Sequence, residues 1–197
     1  MREKQPDICA DFCVDIFADW GLFNFRKNNM IGQFTKGKVY IFIDVANIFY
    51  SQRTLKWKIS YEKLIGYFKK ECNLGKCFVY TGVFKEDHGQ EKFLKMLERC
   101  GYILKTKPVK KILTRDGKIE WKADLDVELS FDMDDLSNEY DTAVLLSGDS
   151  DFAFVLRRIK SKGKRVIVMS TRGHISLELI KEAKFIDLRK LKNEISL

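Results

Sequence analysis

The sequence predicts an α/β fold, a three-layer sandwich in which helices cover both faces of a mostly parallel central sheet. From residue 38 onward, short segments that are almost wholly apolar alternate with amphipathic segments of helical spacing. Apolar strands are typical of a sheet buried on both faces, and the alternation of strands with helices is typical of parallel sheets. A chain of 197 residues is long enough for one such domain with a short extension.

The strands are predicted from apolar runs rich in β-branched and aromatic residues. The first run, KVYIFID at 38–44, ends in an aspartate, and the second, KCFVYTGVF at 76–84, has the same apolar character. Further strands are predicted, in chain order, at 102–107, 141–147, 164–170 and 185–188.

The helices between these strands are predicted from apolar residues at helical spacing and from residues that begin or end helices. Ser60 is placed to cap a helix start, while Gly101 and Gly163 follow the last apolar residues of their helices. In chain order, the predicted helices cover residues 46–56, 60–72, 88–100, 124–137, 150–162 and 174–183.

An inserted β-hairpin is predicted between the third strand and the helix at 124–137. Two short runs, VKKILTR and KIEWK, flank the dipeptide Asp116-Gly117. Asp-Gly favours the two-residue type I′ turn because both central residues of that turn need a positive φ. We therefore expect a basic hairpin closed by these two residues.

Residues 1–36 are predicted to form an N-terminal extension with an amphipathic helix at 7–20, and residues 37–197 to form the domain. In the helix, Ile8, Phe12, Ile16 and Trp20 recur every four residues, and four aspartates follow the same spacing on a neighbouring ridge. Like charges at this spacing oppose an isolated helix. The apolar side is therefore expected to dock on its own domain, on a protein partner or on a second copy of the chain; all three remain open.

The composition excludes several classes of protein. Hydrophobic residues make up 45% of the chain, enough for a buried core, so wholesale disorder is excluded. No uncharged apolar run is long enough to span a membrane, and the first twenty residues contain four aspartates, unlike a signal or transit peptide. We therefore expect a cytoplasmic protein with no membrane association.

Cysteine and histidine usage argues against two further kinds of site. The five cysteines are an odd number without a CxxC pair, and the expected intracellular setting favours reduced thiols. With only two histidines in the chain, a structural zinc site is not expected.

The net charge of +8 is unevenly distributed along the chain. Residues 1–20 carry a net charge of −3, which leaves +11 on the remainder. A basic body is typical of proteins that bind nucleic-acid phosphates, although a solvated basic surface without a partner is an equally open interpretation.

Acidic residues follow two of the predicted strands. Asp44 ends the first strand and is followed by Asn47, while Asp149 and Asp151 follow the strand at 141–147. The carboxyl ends of parallel strands meet at one edge of the sheet, so these side chains are expected to converge there. A further acidic set, Asp124, Asp126 and Asp132, lies in the helical segment just before that strand.

Two interpretations of these carboxylates remain open. Aspartate after a strand commonly caps the next helix, which would make each residue structural. Several carboxylates held together raise one another's pKa unless a cation compensates, and oxygen-only ligands suit Mg²⁺ or Mn²⁺. Such an ion can activate water for phosphodiester hydrolysis, which needs no histidine or cysteine.

Three motifs, in this order, resemble those of LabA-like NYN domains, a branch of the PIN-like nuclease group. They are IFIDVANIFY at 41–50, KADLDVELSFD at 122–132 and LLSGDSDFAFVL at 145–156. The resemblance covers about residues 38–188 and implies a PIN-like α/β/α fold with metal-dependent ribonuclease activity. The second motif departs from the family pattern, because KADLD stands where the family usually has Lys-Gly-x-Asp.

The resemblance also implies roles for individual residues. Asn47 would position a ligand or a phosphate, Ser147 would hydrogen-bond a carboxylate, and Asp124 would share the role of Asp126. The implied metal ligands, direct or through water, are Asp44, Asp126, Asp149 and Asp151.

The basic hairpin leads directly into the second motif and is expected to flank the metal site and bind the RNA backbone. The basic residues concerned are Lys107, Lys110, Lys111, Arg115 and Lys122. Tyr50, Trp57 and Trp121 are candidates for stacking on bases, with core packing as the alternative for each.

The function expected from these observations is that of a Mg²⁺- or Mn²⁺-dependent endoribonuclease. A non-catalytic RNA-binding or protein-binding module with the same fold is the alternative. A phosphatase of the haloacid dehalogenase type is disfavoured, because that chemistry needs a second aspartate two residues after the first, where this chain has Ala46.

Overall fold

The computed structural model of the chain describes residues 31–113 and 117–197. Within these residues, six parallel strands form the central sheet, in the order β3-β2-β1-β6-β7-β8, and a separate antiparallel pair is formed by β4 Lys110–Leu113 and β5 Ile119–Lys122. The strands of the sheet are β1 Lys38–Asp44, β2 Asn73–Val83, β3 Ile103–Pro108, β6 Thr142–Leu146, β7 Arg165–Ser170 and β8 Lys184–Asp187. The predicted α/β fold with a parallel central sheet is confirmed.

Helices follow nearly every strand and cover both faces of the sheet. Their bounds are α1 Val45–Leu55, α2 Tyr61–Glu71, α3 His88–Cys100, α4 Asp126–Asp135, α5 Ala153–Ser161, α6 Leu177–Glu182 and α7 Lys192–Ile195. Ser60 caps α2 by accepting a hydrogen bond from the backbone N–H of Lys63, and Gly101 ends α3 in the left-handed conformation. The last helix was not predicted, and it packs against α2.

The side chains of β1 point alternately to the two faces of the sheet, and the hydrophobic core is accordingly divided into two halves. Val39, Ile41 and Ile43 pack among the side chains of α1, α2 and α3, whereas Tyr40 and Phe42 pack on the other face with α4, α5 and α6. Side chains of successive strand residues point to opposite faces, so an entirely apolar strand serves two hydrophobic layers at once.

The strand order places β1 beside β6 at the centre of the sheet. From β1 the chain builds outward through β2 to β3, and it then returns to the other side of β1 to add β6, β7 and β8. This is the point where the order of the strands reverses, and in open α/β sheets ligands bind beyond the carboxyl ends of the strands at that point.

The inserted hairpin is formed by β4 Lys110–Leu113 and β5 Ile119–Lys122. Leu113 pairs with Ile119, so five residues connect the two paired strands. Gly117 has a φ of +77°, a left-handed conformation that glycine adopts without strain. The hairpin is therefore confirmed, whereas the predicted type I′ turn involves Asp116, which lies outside the described residues.

The first described residues pack against the domain. Ile31, at the start of the short 3₁₀ turn Ile31–Phe34, is fully buried, and its backbone N–H donates to the hydroxyl of Tyr67 at 3.0 Å. The helix predicted at 7–20 lies outside the described residues. Among those described, no helix has the length and apolar character to cross a membrane.

Candidate active site

The candidate site forms where β1 and β6 end side by side. Ile43 pairs with Leu146, so that Asp44 and Ser147, the next residue of each chain segment, emerge at the same level of the sheet edge. The Ser147 hydroxyl donates to Oδ2 of Asp44 at 3.1 Å. Two residues 103 positions apart in the sequence are thus joined directly at this edge.

Asn47 links the first turn of α1 to the loop after β6. Its side-chain oxygen accepts a hydrogen bond from the backbone N–H of Gly148 at 2.9 Å. Its own backbone N–H donates to Oδ1 of Asp44 at 3.2 Å, which makes Asp44 the N-cap of α1. The helix-capping interpretation therefore applies to Asp44, whose carboxylate also lines the cleft described below.

Asp149 follows in the same loop and is positioned by its neighbours. Its backbone N–H donates to the Ser147 hydroxyl at 3.2 Å, and its side chain accepts from the backbone N–H of Asp151 at 3.1 Å. Because Ser147 is fully buried and connects Asp44 with Asp149, it fixes the relative position of the two acidic residues.

The start of α4 brings a third acidic segment to this edge. Carboxylate oxygens of Asp126, Asp149 and Asp151 lie within 4.8 Å of one another. Asp124 accepts a hydrogen bond from the backbone N–H of Asp126 at 3.1 Å and so orders the first turn of the helix. We call these three close residues, Asp126, Asp149 and Asp151, the carboxylate trio.

Asp44 lines the same cleft as Asp126 and Asp149 but is not one of the trio. Burial raises the pKa of the Asp44 carboxyl, and the negative charge of Asp149 adds to this. Hydrogen bonds from the Asn47 backbone and the Ser147 hydroxyl act in the opposite direction, because they favour the ionised form.

Asp126 is the most strongly perturbed of the acidic residues in the cleft. Partial burial, followed by the charges of Asp44, Asp124 and Asp149, raises its pKa to about 7. Crowded carboxylates resist ionisation unless a cation neutralises them, so this cluster favours the binding of positive charge.

The donor set fits a hard divalent cation. All the side-chain donors of the trio are carboxylate oxygens, and their separation allows one ion to contact several of them. Mg²⁺ and Mn²⁺ prefer such oxygen ligands and complete their coordination with water. Asp126 and Asp149 are half-buried whereas Asp151 is exposed, which leaves one side of the trio open to solvent.

A cleft of about 310 Å³ lies next to the trio. Its walls include Tyr50 of α1, Tyr80 of β2, Trp121 of β5 and the segment from Lys122 to Asp126. Tyr50 and Trp121, two of the predicted stacking residues, therefore line the cleft. The third, Trp57, is half-buried and packs against the hydrophobic core that contains Ile48 and Leu64.

The predicted nucleic-acid-binding residues have different surroundings. Lys122 lines the cleft, with its ammonium 3.9 Å from Asp124. Lys107 donates to Glu128 at 2.6 Å and to the Asp124 carbonyl at 2.9 Å, so its charge is engaged within the protein. Lys110 and Lys111 are exposed on β4, and Arg115 lies outside the described residues.

Tyr80 and Gly82, which line the cleft, were not singled out from the sequence. The Tyr80 hydroxyl donates to Asp132 at 2.8 Å, and Lys105 lies 3.0 Å from the same carboxylate. A Cβ on Gly82 would come within 2.6 Å of the Ala123 side chain, which shows how closely the chain after β5 passes over the end of β2. Glycine inside a strand is a recognised signal of such an approach.

The loop after β7 supports the Gly148 turn and was also missed. A Cβ on Gly148 would lie 1.7 Å from the backbone oxygen of His174, and the Gly148 carbonyl accepts from the backbone N–H of Ser176 at 3.0 Å. The strand at 164–170 was predicted from the sequence, but nothing in its residues indicates that the following loop packs on the acidic turn.

A family comparison identifies the domain. The NYN domain model matches residues 38–189. The chain belongs to the NYN domain family. This confirms the family resemblance inferred from the three motifs, which all lie within the matched range.

Two individual proteins are similar over most of their lengths. The "Low amplitude and bright protein LabA" of Synechococcus elongatus is 32% identical over 167 residues, which cover 82% of this chain and 89% of LabA. A solved structure of a protein of unknown function from Vibrio parahaemolyticus has a TM-score of 0.69 at 24% identity, covering 87% of this chain and 100% of that one. This second likeness shows that the two proteins share a fold.

NYN domains are PIN-like and belong to a superfamily of nucleases, so membership supports a nuclease-type, RNA-related function for this chain. The acidic trio agrees with the general use of divalent metal ions in that superfamily.

Proposed function

We propose that this NYN domain is a metal-dependent endoribonuclease that hydrolyses RNA phosphodiesters in the cleft beside the carboxylate trio. The observation that carries the proposal is the meeting of Asp126, Asp149 and Asp151 at the reversal point of the sheet. Three separate motifs of the sequence supply the walls of this one cleft.

The residues of the site would divide the work as follows. Asp126, Asp149 and Asp151 hold Mg²⁺ or Mn²⁺, and Asp44 adds a further carboxylate, directly or through water. A divalent cation bound there orients and acidifies an attacking water and stabilises the charge that develops on the phosphodiester. The side-chain oxygen of Asn47 is held by Gly148, which leaves its amide nitrogen to donate to a phosphate oxygen.

RNA is proposed as the substrate on the basis of family membership and of the charge on the hairpin. Lys110 and Lys122 are directly opposed across β4 and β5, and like charges in that relation destabilise a strand pair. A phosphate group between them would remove this repulsion. The structure thus supports a role for the hairpin in binding a polyanion.

The test compares cleavage of labelled single-stranded RNA with Mn²⁺ and with EDTA, using the full chain. We expect cleavage only with the metal, and a loss of at least about a hundredfold in the Asp149→Asn and Asp44→Asn variants, since these carboxylates hold the cation or its water. Asp135→Asn is the matched control, because Asp135 is exposed at the end of α4 and does not line the cleft.

Cleavage by both cleft variants at the wild-type rate would contradict the assignment of the site. RNA binding without any metal-dependent cleavage, in protein shown to be folded, would contradict the enzymatic proposal and favour the non-catalytic binding module instead.

A further inference from the structure

Two aromatic side chains from different elements line the cleft, Tyr50 from α1 and Trp121 from β5. Tyr50 belongs to α1, which packs on the face that contains Ile48 and Leu55 in its core. Trp121 is the penultimate residue of β5, five residues before the start of α4, whose Leu129 packs on the other face of the sheet. Both rings line the cleft that also contains Asp44, Asp126 and Asp149.

Both rings remain largely open to solvent. Tyr50 is 56% exposed and Trp121 is 58% exposed, although large aromatic side chains ordinarily bury most of their surface. Exposed apolar surface that borders a cleft with charged groups is a feature of ligand-binding sites.

Neighbouring side chains hold both rings in place. The Phe84 ring contacts Trp121 edge to face, with centroids 5.7 Å apart. The Arg53 guanidinium lies 5.1 Å from the centroid of the Tyr50 ring, within cation–π range. Because their positions are supported, the rings would lose little conformational freedom when a flat ligand stacks on them.

We infer that Tyr50 and Trp121 form a pair of stacking sites for unpaired nucleobases in the cleft beside the carboxylate trio. The preferred ligand is a single-stranded RNA segment whose backbone crosses the cleft between them. This inference deepens the proposed function and rests on it. In a duplex the base faces are covered by their neighbours, whereas in a single strand they are free to stack on aromatic side chains.

The hairpin surface beyond Trp121 extends this site. Lys111 is the cross-strand partner of Trp121, so both side chains lie on one face of the hairpin. Leu113 and Ile119 form the next pair on the same face and are also exposed. A cation beside flat apolar groups is the combination that binds single strands, because the cation contacts the backbone while the bases stack.

The surroundings of the rings favour RNA over an apolar protein segment. Asp44, Asp124, Asp126 and Asp149 line the same cleft, and an apolar side chain bound there would remove water from these carboxylates without replacing their hydrogen bonds. A nucleotide fits this mixture better, because its base meets the rings and its phosphate meets the ammonium group of Lys122, which lines the same cleft.

The experiment measures binding in EDTA, where no cleavage is expected, with the full chain and fluorescently labelled RNA of about twelve nucleotides. Probes are an unstructured oligouridylate, an oligoadenylate and a duplex of equal length. We expect Trp121→Ala and Tyr50→Ala each to weaken single-strand binding about tenfold and to change duplex binding much less. Trp121→Phe and Tyr50→Phe keep a flat ring and should restore most of the affinity.

Phe131→Ala is the matched control, because Phe131 is 63% exposed on α4 and does not line the cleft. Unchanged single-strand affinity in Trp121→Ala and Tyr50→Ala, or equal losses for single strand and duplex, would overturn the inference. If Trp121→Ala disturbs the hairpin, Tyr50→Ala on the independent helix α1 decides the question. Because this experiment measures binding and not cleavage, it still tests the stacking sites if the protein proves to have no ribonuclease activity.

Discussion

Asp44 combines two roles that sequence reasoning treats as alternatives. It caps α1 through the backbone N–H of Asn47, and its other oxygen accepts the Ser147 hydroxyl at the border of the cleft. One carboxylate can serve both purposes because each of its oxygens has more than one lone pair. The two roles can be separated by substitution.

We predict that Asp44→Asn leaves the stability of the metal-free protein nearly unchanged, whereas Asp44→Ala lowers it by about 1 kcal/mol. Asparagine can still cap α1, while alanine cannot. Urea denaturation in EDTA measures both values. Equal destabilisation by the two substitutions would contradict the capping role, since both remove the charge and the acceptor of the Ser147 hydroxyl but only alanine removes the cap.

Gly148 offers a second residue-scale prediction. Alanine there would place its Cβ 1.7 Å from the His174 carbonyl oxygen, so the acidic turn or the loop after β7 must move. We expect Gly148→Ala to lower the free energy of unfolding by roughly 1–3 kcal/mol, as overpacking does, and to impair metal-dependent cleavage.

Gly66→Ala is the matched control for this change. Gly66 lies inside α2, and nothing lies within 4 Å of the position of its added Cβ. Alanine should therefore stabilise the helix by about 0.5–1 kcal/mol. If both alanine variants have the same stability as the parent in thermal unfolding, the close approach at Gly148 is not a constraint.

The acidic residues of the site could be identified from the sequence, but the contacts between them could not. Asp44, Asn47 and Asp149 were recognisable because each follows an apolar strand or a glycine-containing turn. Asp124 and Asp126 were harder to separate, and the structure has Asp124 ordering the helix start while Asp126 joins the trio. Distances between segments a hundred residues apart depend on packing, which no local pattern contains.

Individual elements were predictable where one signal dominated. The apolar strands β1, β6 and β7 were found within a residue or two, because a strand buried on both faces has little freedom in its composition. The start of α6 was set too early, since Ser176 caps the helix and the preceding residues form a loop. The hairpin was predictable because two short runs of strand-forming residues flank a turn-forming dipeptide.

The end of α1 supports an element-scale prediction. Lys56 terminates this helix with a φ of +59°, a left-handed conformation that glycine adopts without strain. We predict that Lys56→Gly raises the free energy of unfolding by about 0.5–1 kcal/mol, the strain relief exceeding the entropy cost of glycine.

Lys58→Gly provides the comparison for Lys56→Gly. Lys58 is also exposed and close by, but its φ is not positive, so glycine there should be neutral or destabilising. Chemical denaturation of both variants tests this. Stabilisation of the two variants by the same amount would show that the backbone conformation of Lys56 is not the cause.

At the scale of the whole molecule, strand order determines the site. The sequence predicted a parallel sheet but contained no direct signal for the order β3-β2-β1-β6-β7-β8, because pairing between distant strands depends on the full set of crossovers. Placing β1 beside β6 brings the first and third motifs together, and α4 adds the second.

The close packing of these carboxylates should destabilise the metal-free protein, and the size of this destabilisation should depend on pH. The pKa of Asp126 is raised to about 7, so its ionised form is disfavoured in the folded state. A carboxyl with a raised pKa lowers stability as pH rises from its unfolded value towards the folded one. We predict that Asp126→Asn stabilises the protein in EDTA at pH 8 and not at pH 4.

Cation binding should reverse this cost. A ligand at a hundred times its dissociation constant stabilises a folded protein by about 2.7 kcal/mol, so Mn²⁺ should raise the melting temperature of the parent in a saturable manner. Asp126→Asn should lose this response while Asp135→Asn keeps it. Identical Mn²⁺ responses in all three proteins would place the cation elsewhere.

The short path between the hairpin and α4 has a mechanical consequence. Three residues separate Lys122, the end of β5, from Asp126, the start of α4. Lys107, on the strand β3 that precedes the hairpin, donates to Glu128 of the same helix. A strand of RNA that pulled the hairpin inward would therefore drag Asp126 with it and change the spacing of the trio. Binding of RNA to the hairpin would then be coupled to the spacing of the carboxylate trio.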